Sequence, residues 1–244
     1  LWAKKGTGNT TPDYEPSTQE FHDMKKIGNL RIGQTPRPDL TAGLLDILSP
    51  GYEIIEAGGL DDLTIDEVNE IDLNPEDYIL VTKMRDGADV KITKKFIIPR
   101  MQEKLVELED QGVRLTLVTC TGLFPQFRSR GLVLTPSEVL KGVIEGSLKA
   151  GKLAVVYPVA EQMPYADRDF GRDGVEVYAD YVNPDVEDDV KGLLERLVLE
   201  DPDLVFLNCF GFPISLKEQV KEATGKPTIH SSALMARVVK ELSS

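Results

Sequence analysis

The sequence is short of the residues that most metal sites and catalytic triads are built from. Only two cysteines and two histidines occur in 244 residues. Two cysteines cannot form a disulfide framework, and no Cys or His ligands cluster at zinc-ribbon spacing, so no metal is expected. The histidines are His22 and His230, which restricts triad and imidazole acid–base chemistry. Basic charge is scarce too. The chain has 28 Lys and Arg against 41 Asp and Glu, a formal net charge of -13. That balance argues against nucleic acid and against a polybasic membrane anchor as partners. No apolar run approaches the roughly 18–20 residues of a membrane span. GxGxxG and Walker-type loops are missing, and no cofactor is expected. A cytoplasmic protein is expected.

What is present is ordinary globular material, 41% hydrophobic and 28% charged, enough apolar content for a sizeable core. Residues 1–23 are polar, without a periodic apolar stripe, and read as a disordered N-terminal extension; His22 belongs to it. From Met24 the pattern changes sharply. Strands are expected at Ile27–Gly33, Tyr52–Ala57, Tyr78–Met84, Val113–Thr119, Leu132–Leu134, Leu153–Tyr157, Val175–Val182, Asp203–Asn208 and Thr228–His230. Asp89–Ile92 reads as the return arm of a hairpin whose solvated tip carries Arg85 and Asp86. Helices are expected between them. Asp39 and Thr93 stand as caps, Thr64 and Glu67 have capping-box spacing, and Pro99 either kinks its helix or marks the first turn. Glu187, Asp188 and Asp189 read as a solvated first helical turn. Alternating strands and helices imply an α/β fold with parallel sheets.

Two segments repeat. Leu115–Pro125 reads LTLVTCTGLFP, and Leu204–Pro213 reads LVFLNCFGFP. Each is an apolar strand, a small polar residue, then Cys-x-Gly. The two cysteines, Cys120 and Cys209, occupy the same place in both copies, at strand carboxyl ends where parallel sheets bind ligands. A lone cysteine there is usually a small buried hydrophobe; a matched pair points to chemistry. The chain therefore reads as two pseudo-symmetric α/β halves with the site in the cleft between them. The first half is residues 24–135, with the last helix, 232–242, packing back on it, and the second is 136–231. The N–H groups after each Cys can bind a carboxylate and lower the thiol pKa.

Other residues border the same cleft. Gln34, Thr35 and Arg37 follow the first strand; Arg37 suits a carboxylate or pairs with Asp39. Glu161 holds the matching place in the second half, facing substrate or serving as a helix-start charge. Thr121, Gly122, Phe210 and Gly211 flank the cysteines. Ser231 follows the last strand, where it can cap the final helix and line the cleft.

The stretches IGQTPRPDL, VTCTGLF, YPVAEQMP, LNCFGF and KPTIHSSALMAR resemble the aspartate/glutamate racemase superfamily, which includes hydantoin racemases, maleate isomerases and arylmalonate decarboxylases. Within that group the chain is most similar to the AroM family. The resemblance implies a two-half α/β fold with a cysteine pair in the cleft. In such racemases one Cys thiolate removes an α-proton and the other thiol protonates the opposite face, without a cofactor. Those roles would fall on Cys120 and Cys209. Where those racemases have Asn-Thr after the first Cys and Thr after the second, this chain has Thr121-Gly122 and Phe210-Gly211; Phe210 removes a polar contact expected for a plain amino acid.

Three functions follow as expectations. The first is an isomerase, racemase or lyase acting next to a carboxylate or carbonyl of a small anionic substrate. The second is a hydrolase or cis–trans isomerase using one Cys as nucleophile, with His230 as the only histidine base at hand. The third is a non-catalytic small-molecule binder. Assembly as a homodimer is left open.

Overall fold

A computed structural model describes residues 25–48, 50–74 and 77–243; the expected extension, with His22, lies outside the described residues. The first half is a four-stranded parallel sheet in the order β2-β1-β5-β6. Its strands are β1 (Lys25–Arg31), β2 (Tyr52–Gly58), β5 (Leu115–Val118) and β6 (Leu132–Leu134). The second half is a four-stranded parallel sheet in the order β10-β9-β7-β8. Here the strands are β7 (Gly151–Tyr157), β8 (Val175–Tyr181), β9 (Leu204–Leu207) and β10 (Thr228–His230). Read outward from β1 and from β7, the two orders are the same. β5 and β9 are thus equivalent strands, and each ends just short of a cysteine. Both lie beside the first strand of their sheet, at the point where the winding changes direction.

The sequence accounts for these strands. Ile27–Arg31 and Leu153–Tyr157 are buried without interruption, as central parallel strands covered on both faces must be. The first sheet carries an insertion, the antiparallel hairpin β3 (Ile79–Lys83) and β4 (Asp89–Thr93). Its tip, Arg85 and Asp86, is exposed as the sequence suggests, and it is tethered as well. Arg85 N donates to Gln34 Oε1 at 2.9 Å, and Arg85 Nε donates to Thr35 O, so the tip is laced to the loop after β1.

Helices α1 (Pro38–Leu48), α2 (Ile65–Asn69), α3 (Lys94–Asp110), α4 (Pro136–Ser147), α5 (Ala166–Phe170), α6 (Glu187–Glu200), α7 (Ile214–Thr224) and α8 (Ser231–Ser243) fill the connections. A 3-10 turn, Ala160–Tyr165, precedes α5. The Thr64–Glu67 capping box forms, and Thr93 caps α3. One local expectation shifts: α1 begins at Pro38, so Asp39 lies in its first turn and not at the cap. α3 begins at Lys94, so of the two readings of Pro99 the structure keeps the one inside the helix, beyond its first turn.

Three apolar clusters hold the layers together. The central one joins both halves: Ile27 and Leu117 of the first sheet and Leu153 and Phe206 of the second meet through Leu140 and Ile144 of α4 and Met235 and Val239 of α8. α8 follows the second sheet yet lies against α1, where Lys240 Nζ donates to Ile47 O at 2.9 Å. The outer faces are covered by α3 and the hairpin on the first sheet, and by α6 and α7 on the second. Among the described residues no helix is long and apolar enough to cross a membrane.

Candidate active site

One cavity of about 810 Å³ lies between the carboxyl ends of the two sheets. Cys120 enters from the end of β5 and Cys209 from the end of β9; both are unpaired, half-buried and on its wall. In each copy the amide two residues on turns back to the sulfur. Gly122 N donates to Cys120 Sγ at 3.5 Å, and Gly211 N donates to Cys209 Sγ at 3.3 Å. The two motifs touch: Thr121 Oγ1 donates to Asn208 O at 3.3 Å, from the residue after one cysteine to the residue before the other.

The acidities depart from the sequence expectation. The Gly122 and Gly211 N–H groups do pull the thiols down, but loss of water outweighs them. Burial pushes Cys120 up to about 12, with Gly122 N–H opposing it, Cys209 adding to it and Lys94 opposing it. Burial pushes Cys209 up to about 11, against the N–H groups of Gly211 and Phe212. Both therefore rest as thiols at neutral pH.

The other expected residues divide into two groups. Arg37, Thr121, Gly122, Glu161, Phe210 and Gly211 line the cavity. Glu161 sits at the rim, its side chain 65% exposed, and pairs across the opening with Lys91 at 2.9 Å; that ammonium holds its carboxyl below the usual range. Gln34 is on the wall, but its amide is spent on scaffolding. Nε2 donates to Leu60 O and Leu63 O at 3.0 and 2.7 Å, and Oε1 accepts from Arg85 N. Thr35 and Ser231 are not cleft residues. Thr35 is buried with its N and Oγ1 donating to Asp61 at 2.6 and 2.8 Å. Ser231 is fully buried, and its hydroxyl donates to Leu207 O at 2.7 Å, tying α8 to β9 and neither capping the helix nor facing the cavity.

His230 is equally removed. It is 1% exposed, with Nε2 3.0 Å from Phe212 O and Nδ1 accepting from Ala233 N at 3.4 Å. A carbonyl only accepts, so Nε2 carries the proton; burial lowers the pKa, and the ring is neutral. It braces the loop that follows Cys209.

Several wall residues carry no sequence signal of their own. Tyr157 ends β7 with its side chain buried; burial raises its pKa, and the Asn208 side chain opposes the shift. Arg168 and Asp169 form a two-point ion pair at 2.8 and 3.2 Å, with Arg168 over the Tyr165 ring. Tyr165 stacks on Tyr78 across the halves at 4.9 Å. Below the first-sheet end, Glu56 gathers Asn29, Arg31, Thr41 and the backbone of Arg37. Among the described residues no His, Cys, Asp and Glu cluster is arranged to hold a metal.

This architecture has solved counterparts. Maleate isomerase Iso from Pseudomonas putida S16 superposes with a TM-score of 0.59 at 14% identity, over 90% of this chain and 92% of that one. Maleate cis-trans isomerase from Nocardia farcinica gives 0.56 at 15% identity, over 89% and 92%. Aspartate racemase from Picrophilus torridus gives 0.53 at 11% identity, over 90% and 94%. These likenesses establish a shared fold of two α/β halves. No curated protein matches the sequence. The family model described as AroM protein matches residues 27–243, nearly the whole described chain, and the protein belongs to the AroM family.

Proposed function

We propose that the protein is a cofactor-independent isomerase, racemase or lyase that moves a proton at a carbon next to a carboxylate or carbonyl of a small anionic substrate, with Cys120 and Cys209 as its two proton-handling groups. The observation that supports this most is the delivery of both thiols into one cavity from equivalent strands, each held by the amide two residues on. Groups arriving from the two halves can reach opposite faces of one planar carbon, the arrangement that inversion needs. The raised acidities fit the task. A neutral thiol is the proton donor, and a thiolate formed from a thiol near 11 or 12 is a stronger base toward a weakly acidic C–H than an exposed one.

The walls suit such a substrate. Arg37 and the Thr121 backbone stand near the first-sheet end for a carboxylate, and the Tyr157 hydroxyl on the cavity wall can donate to a second oxygen. Leu140, Phe170, Phe206 and Phe210 leave room for an apolar body. The nucleophile reading is weakened by His230, which is neutral, enclosed and committed to Phe212 O.

The test is α-proton exchange in deuterated water, followed by NMR on candidate carboxylates with the wild type, Cys120→Ala and Cys209→Ala. Each variant should lose inversion, yet keep exchange on one face, with opposite enantiomeric preference. If one variant loses all activity while an adduct accumulates on the remaining sulfur, a covalent nucleophile replaces the two-base reading. Binding without exchange by the wild type would leave a small-molecule binder.

A further inference from the structure

Lys94 is the first residue of α3, held there by its cap: Phe96 N donates to Thr93 Oγ1 at 3.2 Å. Three other lysines of this half sit beside carboxylates, while Lys25 and Lys26 donate to backbone carbonyls. Lys83 meets Asp89 at 3.2 Å, Lys91 meets Glu161 at 2.9 Å and Lys104 meets Asp62 at 2.8 Å. Lys94 is half-buried and has no such ion pair among the described residues. Its ammonium lies instead over the Tyr78 ring, 4.6 Å from the centroid, and 6.0 Å from that of Phe124.

These rings lead to Cys120. A methyl group built on Gly122 would stand 3.5 Å from both Cys120 Sγ and Phe124 Cε2, so sulfur and ring converge on the same α-carbon. Tyr78 and Cys120 both line the cavity; Lys94 is not among its lining residues and packs on the Tyr78 ring. A half-buried cation without a carboxylate is unfavourable unless an anion forms nearby, and beyond these rings the first charge that acts on Lys94 is that of Cys120. The two groups affect each other as this predicts. Burial lowers the Lys94 pKa while Cys120 raises it, and Lys94 draws the Cys120 thiol down. The other charged or titratable groups here are Cys209 and Tyr78, which face Cys120, and the Arg168–Asp169 pair, whose opposite charges act on Lys94 in opposite directions. Cys209 has the N–H groups of Gly211 and Phe212 and no cation among the groups that shift it.

We propose that Lys94 is a positioning residue that supplies the counter-charge for the Cys120 thiolate, from outside the cavity lining and without touching substrate. This rests on the reading of Cys120 as a proton-handling group. In the step concerned, the Cys120 S–H bond breaks, its proton leaves to solvent and the sulfur keeps the electron pair. Lys94 keeps its three N–H bonds throughout. The thiolate then takes the α-proton, breaking C–H and forming S–H, and Cys209 gives its thiol proton to the other face.

The experiment needs no substrate. The full chain is alkylated with iodoacetamide across pH 7 to 11, and each cysteine is followed by peptide mass spectrometry in the wild type, Lys94→Met and Lys94→Arg. Only the thiolate reacts, and removal of a neighbouring opposite charge moves a pKa by about one unit or more. Below its inflection, Cys120 should therefore react about tenfold more slowly in Lys94→Met, with Cys209 unchanged and Lys94→Arg near wild type. An unchanged Cys120 rate, or an equal fall at both cysteines, overturns the proposal. If Lys94→Met does not fold, the coupling is read from the other side. Reductively ¹³C-methylated Lys94 should titrate at lower pH in Cys120→Ala than in the wild type, and identical midpoints overturn it. A protein that passes these tests but exchanges no α-proton would refute the proposed reaction and leave the Lys94 assignment standing.

Discussion

Changing His230 to Gln isolates one buried titration. The ring is enclosed, with its single proton on Nε2 directed at Phe212 O and its Nδ1 facing the Ala233 N–H and, at 3.1 Å, the Ser232 hydroxyl. A second proton on Nδ1 would point at the Ala233 N–H, and burial already lowers the folded pKa below the ordinary 6.5. The unfolded chain takes up that proton near pH 6.5 while the folded chain does not. The stability contributed is therefore complete above the unfolded pKa and falls as pH drops below it, until the folded pKa is reached. Between the unfolded and folded values the loss accrues at up to about 1.4 kcal/mol per pH unit. Glutamine keeps a donor for Phe212 O but cannot titrate. Urea unfolding at pH values above and below about 6.5 should show wild type losing more stability than His230→Gln, at up to about 1.4 kcal/mol per pH unit; subtraction removes the carboxylates common to both. Parallel pH dependence in the two proteins would refute the neutral, enclosed histidine and return it to the list of candidate bases.

Gly28→Ala should cost about 1–3 kcal/mol in chemical denaturation by overpacking, because the new methyl would stand 2.6 Å from Thr116 Oγ1 and 2.9 Å from Val113 Cγ1. Arg196→Met leaves Asp180, 4% exposed, with its Tyr178 and Tyr181 hydrogen bonds but no cation. With Arg196 itself partly exposed, about 1–3 kcal/mol is expected, and no loss would mean water already solvates Asp180. Lys91→Ala breaks an exposed rim pair and should change stability by less than about 0.5 kcal/mol; a large fall in Tm would make the rim part of the fold. Thr121→Val removes a hydrogen bond between the halves and should cost about 1 kcal/mol in the same denaturation assay.

Much of the fold was legible because it is carried by patterns that span whole segments. Uninterrupted apolar runs such as Leu153–Tyr157 can only be central parallel strands, and the repeated Cys-x-Gly shows which two strands are equivalent. The exceptions are local competitions. Ser231 looked like a cap and a cleft residue because it follows a strand. A serine there can equally donate to a neighbouring carbonyl, and Leu207 O is nearer. Gln34 reached the cavity wall, but its amide was claimed by Leu60, Leu63 and Arg85. Those partners lie 26 to 51 positions away, and no spacing rule links them. Lys94 was invisible for a similar reason. At the start of α3 it resembles any exposed lysine, and only tertiary structure brings Tyr78 and Phe124 to its ammonium.

The repeat and the insertion do different physical work. Equivalent strand order brings two thiols to equivalent positions, and identical i+2 amides hold them, so position is settled by what the halves share. Charge is settled by what they do not share. Cys120 looks toward the hairpin side, with Lys94 packed on the Tyr78 ring, whereas Cys209 looks toward a loop braced by a neutral histidine. Burial raises both thiols, so differences in nearby charge bear on which thiolate forms more readily. Geometric symmetry with electrostatic asymmetry follows from duplicating the backbone while decorating only one copy. The consequence can be measured at the sulfurs themselves: two thiols in matching backbone settings that respond differently to the loss of one lysine.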